Sequence, residues 1–260
     1  MAFRTILYSV QDGIAEIRLN RPHRLNAVVQ ELYTELTEAL NFAEADRDAR
    51  VVLLTGEGRA FCVGADLKEH KASRTAFDRR EYLRGEQVVC KRLVLLRKPV
   101  VAAVNGFALG AGAEMAIASD FVVMAESAKL GLPEIGIGTF LGGGITYLLP
   151  RLVGLAKARE LVFLGRHICA EEAIRIGLAC RMFPDESFLD HAREFALEIA
   201  SKAPFSMQLA KEQLNMAAER TFDGALIAEL EGMMFCSTTK DWQEGVDAFA
   251  EKRAPVFRGE

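Results

Sequence analysis

Two periods of hydrophobic positions alternate along this chain. Residues 5–10 and 14–19 alternate in the manner of strands with one buried face. Gln11, Asp12 and Gly13 between them carry the turn chemistry of a hairpin. From Val28 the spacing changes: Leu32, Leu36 and Leu40 recur four apart while Glu31, Glu35 and Glu38 take other faces, which predicts an amphipathic helix. Residues 51–55, VVLLT, form a short apolar run closed by Gly56, a buried strand leading into the loop GEGRAFCVGADLKE. A second helix is expected over residues 79–97. It stops at Lys98, because the residue before a proline is pushed out of the helical region.

The run VVAAV at 100–104 repeats the succession of strand, turn, Gly-rich loop and helix start, and FVVMA at 121–125 is another strand. GIGTFLGGGITYLLPRLVG reads as a loop entering a helix. Strand pairs alternating with helices predict an α/β class built of successive β-β-α units. Past Ala170 helices are expected at 186–202, 205–218, 221–238 and 240–251, with no strand of comparable strength. Lys202, Ala203 and Pro204 form the joint, dividing the chain into a core over 1–200 and a helical region over 201–260.

Composition narrows the class. The 260 residues are 50% hydrophobic and 26% charged, enough for one large core, and no apolar run approaches the length of a membrane span. The N-terminus alternates like strands and carries no signal-peptide or transit pattern, so a cytoplasmic location is expected. Five widely spaced cysteines without a CxxC pair indicate neither a disulfide framework nor a zinc site. A net charge of −4 without a basic tail argues against nucleic acid or an anionic membrane as the main partner. The one basic cluster, KRLVLLRK at 91–98, fits the solvated face of a helix.

The chemistry concentrates after Val100. Between Val100 and Leu149 the only charged residues are Glu114, Asp120, Glu126, Lys129 and Glu134. A carboxylate among Ala, Met, Leu and Gly either faces solvent at an element end or is held in an apolar site for a purpose, since burying an unpaired charge costs several kcal/mol. Neither GFALGAG nor GIGTFLGGG gives the GxGxxG or Gly-Lys-Ser/Thr pattern of a phosphate loop. The first offers instead a helix start near Gly110, whose free N–H groups suit an oxyanion, and the small residues of VGAD at 63–66 allow the same close approach. Tight turns alone would also explain these glycines; Glu114 could merely cap the helix, and Glu134 could be a solvated loop acid. His23, His70, His167 and His191 have no spacing for a metal or for a nucleophile, which leaves them surface or structural roles.

Taken together, AFCVGADLKE, KPVVAAVNGFALGAGAE and LGLPEIGIGTF resemble the enoyl-CoA hydratase/isomerase, or crotonase, family, and the resemblance runs from RPxxxNA near the N-terminus to EKRAPVF at the C-terminus. It implies a spiral of β-β-α units with a helical C-terminal trimerisation region, in a homotrimer or a hexamer formed as a dimer of trimers. The implied substrate is an acyl-CoA thioester, with no metal or redox cofactor, coenzyme A being part of the substrate. The family stabilises a thioester enolate between two backbone N–H groups, which fall here on Ala65 and Ala111. Hydratases of the family carry glutamate at both positions 114 and 134, whereas isomerases generally keep the second. By that resemblance Glu114 orients and activates water, and Glu134 transfers the proton at Cα. Two like charges on one water imply that one acid is held protonated near neutral pH. The loop of Val63, Gly64, Asp66, Leu67 and Lys68 is expected to hold the CoA adenine and pantetheine, with Arg24 and a neighbouring subunit's Lys252 or Arg253 on the phosphates.

The segment GTFLGGGITYLLP departs from the usual GTxPGxGGTQRL at Leu141, Ile145, Tyr147 and Leu148. That points to an acyl group other than a short linear chain: branched, cyclic or aryl. The leading expectation is reversible syn hydration of a 2-enoyl-CoA. Isomerisation or a retro-aldol lyase step on the same oxyanion hole is the related alternative. A noncatalytic acyl-CoA-binding or nucleic-acid-binding member is the alternative of a different class, against which both glutamates argue.

Overall fold

The hairpin forms where the alternation places it. In the computed structural model, which describes residues 3–70 and 75–260, strands β1 (Ile6–Gln11) and β2 (Ile14–Leu19) pair antiparallel, Gln11 opposite Ile14. Asp12 and Gly13 between them both take positive φ, 52° and 83°, the conformation a two-residue turn needs to match strand twist. After helix α1 (Gln30–Ala45), β3 (Val51–Gly56) joins β2 in parallel, and β4 (Ala60–Cys62) follows at once. Helices α2 (Leu67–His70) and α3 (Ala76–Leu95) complete that turn of chain. The next repeats it with β5 (Val100–Val104), β6 (Phe107–Leu109) and α4 (Ala111–Ile117), and the third opens with β7 (Phe121–Ala125) and β8 (Lys129–Gly131).

Each turn gives one strand to each of two sheets. The larger has the order β1-β2-β3-β5-β7-β10 and the smaller β4-β6-β8-β9, with β9 at Ile168–Cys169 and β10 at Arg181–Phe183. Every residue of β3 and β5 is buried, as central parallel strands covered on both faces must be. Helices α5 (Ile145–Val153), α6 (Leu155–Leu164) and α7 (Ala170–Arg175) bridge β8 to β10, and α8 (Phe188–Ala200) lies against β2, β3, β5 and β7. This is the α/β spiral of β-β-α units that the residue pattern predicts, with C-terminal helices α9 (Pro204–Asn215), α10 (Phe222–Ser237) and α11 (Lys240–Glu251).

One expectation needs correcting. The region past Ala170 is not free of strands: β10 pairs parallel with β7, Met182 opposite Met124. Three residues are too few to display alternation, and β10 is a strand because β7 offers it an edge. The same brevity hid the smaller sheet, whose strands are two or three residues long. The RPHRLNA segment has a structural role: Asn26, fully buried at φ 57°, accepts from the Arg21 N–H and donates to the carbonyls of Glu57 and Ala60, pinning the β2 exit to the loop before β4.

Candidate active site

Two backbone N–H groups meet where the first and second turns of the spiral touch. Helix α4 starts at Ala111 after Gly110, whose φ of 55° and ψ of −126° belong to glycine alone. The opening N–H groups of a helix have no partner within it, and none is recorded for Ala111 among the described residues. On the facing loop, Val28 N–H donates to Gly64 O and Asp66 N–H donates to Val28 O, a parallel bridge in which the flanking residues make the bonds. Ala65, at its centre, therefore turns its own N–H to the opposite side. Gly64 has φ 87°, and a Cβ there would stand 3.5 Å from Ala111 N, so the 64–65 peptide lies beside the start of α4.

Both sequence-singled glutamates come to this place. Glu114, one turn into α4 and 1% exposed, accepts from Gly142 N–H at 3.1 Å and from Gly143 N–H. Glu134, 7% exposed, opens a 3-10 turn over Glu134–Ile137; its Oε1 lies 3.0 Å from where a Gly110 Cβ would be, and its buried Oε2 has no hydrogen-bond partner. Burial raises Glu114 to about 7, against the pull of the two N–H donors and with the help of Glu134's charge. Burial likewise raises Glu134 above the usual carboxylate range. These acids are neither capping a solvated helix end nor sitting in a solvated loop.

A third glutamate joins them that the sequence reading missed. Glu86, half-buried on α3, has Oε2 2.6 Å from where a Cβ of Gly142 would be. Its carboxyl is pushed up to about 8 by burial first, then by the charges of Glu114 and Glu134. A signal existed in the sequence. Tyr82, Glu86, Val89 and Leu93 follow the 4-3-4 spacing of one helix face; the other three are buried, so an acid interrupts an apolar seam.

The other acids of the stretch are ordinary. Asp120 accepts from Val100 N–H and from Lys211 Nζ, both at 2.7 Å, and Glu126 is exposed.

Of the expected CoA-binding residues, Val63 and Gly64 precede Ala65, and Leu67 and Lys68 begin α2 exposed. Asp66 is engaged at home: it pairs with Arg21 at 3.2 Å and accepts from Lys68 N–H, partners that hold it below its ordinary value despite burial, with the Arg24 charge acting in the same direction. Arg24 thus lies near this loop. Among the described residues Lys252 has no recorded contact with the site, and Arg253 is occupied by Glu244 and Glu251.

In the atypical segment, Ile145 is buried and Leu141 and Leu148 pack against the core, whereas Tyr147 faces outward, donating to Glu219 at 2.6 Å under the Arg151 guanidinium. His23 and His167 are exposed and His191 stacks on Phe183; the side chain of His70 lies outside the described residues. Among the described residues no group of three or more His, Cys, Asp or Glu is arranged to hold a metal ion, and no helix is long and apolar enough to cross a membrane.

The model of the enoyl-CoA hydratase/isomerase family matches residues 9–260. The chain is 37% identical over 254 residues to the short-chain-enoyl-CoA hydratase of Clostridium acetobutylicum, covering 97% of each. It is also 37% identical over 257 residues to the 1,2-epoxyphenylacetyl-CoA isomerase of Escherichia coli, covering 98% of each. The crystal structure of an enoyl-CoA hydratase from Bacillus anthracis superposes with a TM-score of 0.94 at 37% identity, over 99% of this chain and 100% of that one.

Proposed function

The chain belongs to the enoyl-CoA hydratase/isomerase family, and from that premise we propose that it is an enoyl-CoA hydratase, adding water reversibly and syn across the double bond of a 2-enoyl-CoA to give a 3-hydroxyacyl-CoA. One observation carries the reading. Glu114 and Glu134 are both buried beside the Gly64–Gly110 junction, among the described residues no cation is recorded on either, and Glu134 Oε2 is left without a partner.

In the proposed reaction the thioester carbonyl lies between the N–H groups of Ala65 and Ala111, which take up the charge of the enolate; one such donor lowers a barrier by about 2.7–4 kcal/mol. Ionised Glu114, held by Gly142 and Gly143, accepts a proton from water as its oxygen bonds to Cβ. The electrons of the double bond move onto the carbonyl oxygen. Neutral Glu134 then donates its proton to Cα, the carbonyl re-forms, and the two acids have exchanged protonation states; transfer through solvent resets them.

The loop of Val63, Gly64, Asp66, Leu67 and Lys68 would carry the CoA moiety through backbone atoms and exposed side chains, with Arg24 on the phosphates and Lys252 arriving from a neighbouring subunit. An assembly through residues 201–260 is supported by α10, which buries none of its residues in the chain and shows Phe222 at 78% and Met233 at 71% exposure. A homotrimer, or a hexamer as a dimer of trimers, would cover this surface. Leu141 and Ile145, directed into the core beside Gly142 and Gly143, support an acyl group that is branched, cyclic or aryl.

The test is a panel of linear, branched, cyclic and aryl enoyl-CoA thioesters, followed by loss of the conjugated chromophore. Crotonyl-CoA turned over at least as efficiently as the cyclic and aryl thioesters would defeat the acyl-group reading. Isomerisation is the second reading, favoured by the 37% identity to an isomerase; a product without oxygen from labelled water would select it.

A further inference from the structure

Gly142 stands between two carboxyls. Its N–H donates to Glu114, while its Cα faces Glu86, whose Oε2 would be 2.6 Å from a Cβ at that position. Gly143, next along, also donates to Glu114 and packs on Cys90, one turn beyond Glu86 on α3. The peptide that grips Glu114 is therefore wedged against the helix face bearing Glu86. We propose that Glu86 is a positioning residue for Glu114: as an uncharged carboxylic acid it backs the Gly142–Gly143 peptide that holds Glu114, and its ionisation turns the site off. The proposal rests on the reading of Glu114 as the group that activates water.

Among the described residues no cation is recorded on Glu86. Glu114 faces it from α4, Glu134 from the 3-10 turn, Tyr33 from α1, Cys62 from β4 and Cys90 from its own helix. Among the described residues no cation and no N–H group is recorded on its carboxyl. A carboxylate there would stand beside two others in a partly dry site, which repels the ionised Glu114 needed as base and draws protons onto it. Neutral Glu86 adds no such charge. Burial, then the charges of Glu114 and Glu134, push it to about 8, so the neutral form holds through neutral pH and is lost just above it.

The proposal separates Glu86 from a reacting group and from inert packing. Glu86→Gln and Glu86→Leu both keep an uncharged side chain of similar size. Hydration by the unsubstituted enzyme is expected to fall about tenfold per pH unit above the Glu86 transition. Both variants should shrink or shift that alkaline fall, what remains belonging to the ionisation of Glu134, with any loss of kcat at neutral pH staying under about tenfold. An unchanged alkaline fall in either folded variant overturns the proposal, as does a loss of kcat beyond about tenfold at neutral pH, which would make Glu86 a reacting group. If neither variant folds, carboxyl carbon NMR of the glutamate-labelled unsubstituted protein decides: a third raised glutamate must titrate at about 8 in step with the activity loss, and only two raised glutamates overturn the inference. If the unsubstituted enzyme hydrates no enoyl-CoA thioester, the functional reading fails, and the NMR titration still tells whether Glu86 is neutral.

Discussion

The Asp120 carboxyl and the glutamate cluster, both shielded from much of the solvent, are treated in opposite ways. Asp120, at the end of the turn after α4, is met by the Val100 N–H and by Lys211 Nζ, which reaches in from α9 and also donates to the carbonyls of Leu93 and Lys98. A few residues away in sequence, Glu114 and Glu134, with Glu86 beside them, have no cation recorded on them among the described residues. Burial pulls both Asp120 and Lys211 towards their neutral forms, but each supplies the other's counter-charge. In the glutamate cluster burial is offset at Glu114 by two N–H groups and at Glu134 by its own backbone N–H, and all three carboxyls still shift upward. A paired acid ties a C-terminal helix to the core. An unpaired one is left able to exchange protons near neutral pH.

Breaking the paired region should cost stability and little else. Lys211→Met leaves the partly shielded Asp120 with the Val100 N–H alone and is expected to lower unfolding free energy by about 1.5–3 kcal/mol, read by denaturant unfolding, with turnover of the folded fraction unchanged. Adding Asp120→Asn should recover part of that loss. The unpaired region should respond in reverse. Glu114→Gln and Glu134→Gln are each expected to reduce turnover by roughly two orders of magnitude or more, about 2.7 kcal/mol in the barrier, with CoA-ester binding retained and stability equal or higher. Unchanged turnover in either variant removes that residue from the mechanism.

The pH dependence sharpens the contrast. Glu114 and Glu86 have folded values of about 7 and about 8, above their ordinary 4.5, so the folded state binds protons that the unfolded chain has released. Their contribution to stability is whole below 4.5 and is lost as pH rises through 7 and 8. Thermal unfolding should therefore show a midpoint that falls across this window, and Glu86→Gln should flatten the fall. Activity runs against stability on the acid side, since Glu114 must ionise to act as base: turnover should rise as pH climbs through about 7. The smallest effect is expected outside both regions. Tyr147→Phe removes an exposed bond to Glu219 and should change stability by less than about 0.5 kcal/mol and turnover not at all, measured by the same unfolding and hydration assays.

Much of the spiral was legible because long elements display their period. The helix with Leu32, Leu36 and Leu40 on one face, and the all-apolar runs of β3 and β5, lie within a few residues of where the pattern puts them. The short strands of the smaller sheet and β10 were not, since two or three residues carry no period and take their conformation from a neighbour. In the site, Glu114 and Glu134 stood out as isolated charges in an apolar stretch. Glu86 did not, because α3 is rich in charge and its one inward acid is distinguished only by the face it occupies.

What the sequence determined by itself was the order of elements, the family motifs and the residue types available for chemistry, because these depend on spacing along the chain. Which acids are neutralised and which are left bare was decided by tertiary structure alone. Asp120 and Lys211 are 91 residues apart, and Glu86 meets Gly142 across α3 and the loop before α5. A carboxyl's proton affinity is set by the charges and dipoles within a few ångströms of it, and folding chooses those neighbours.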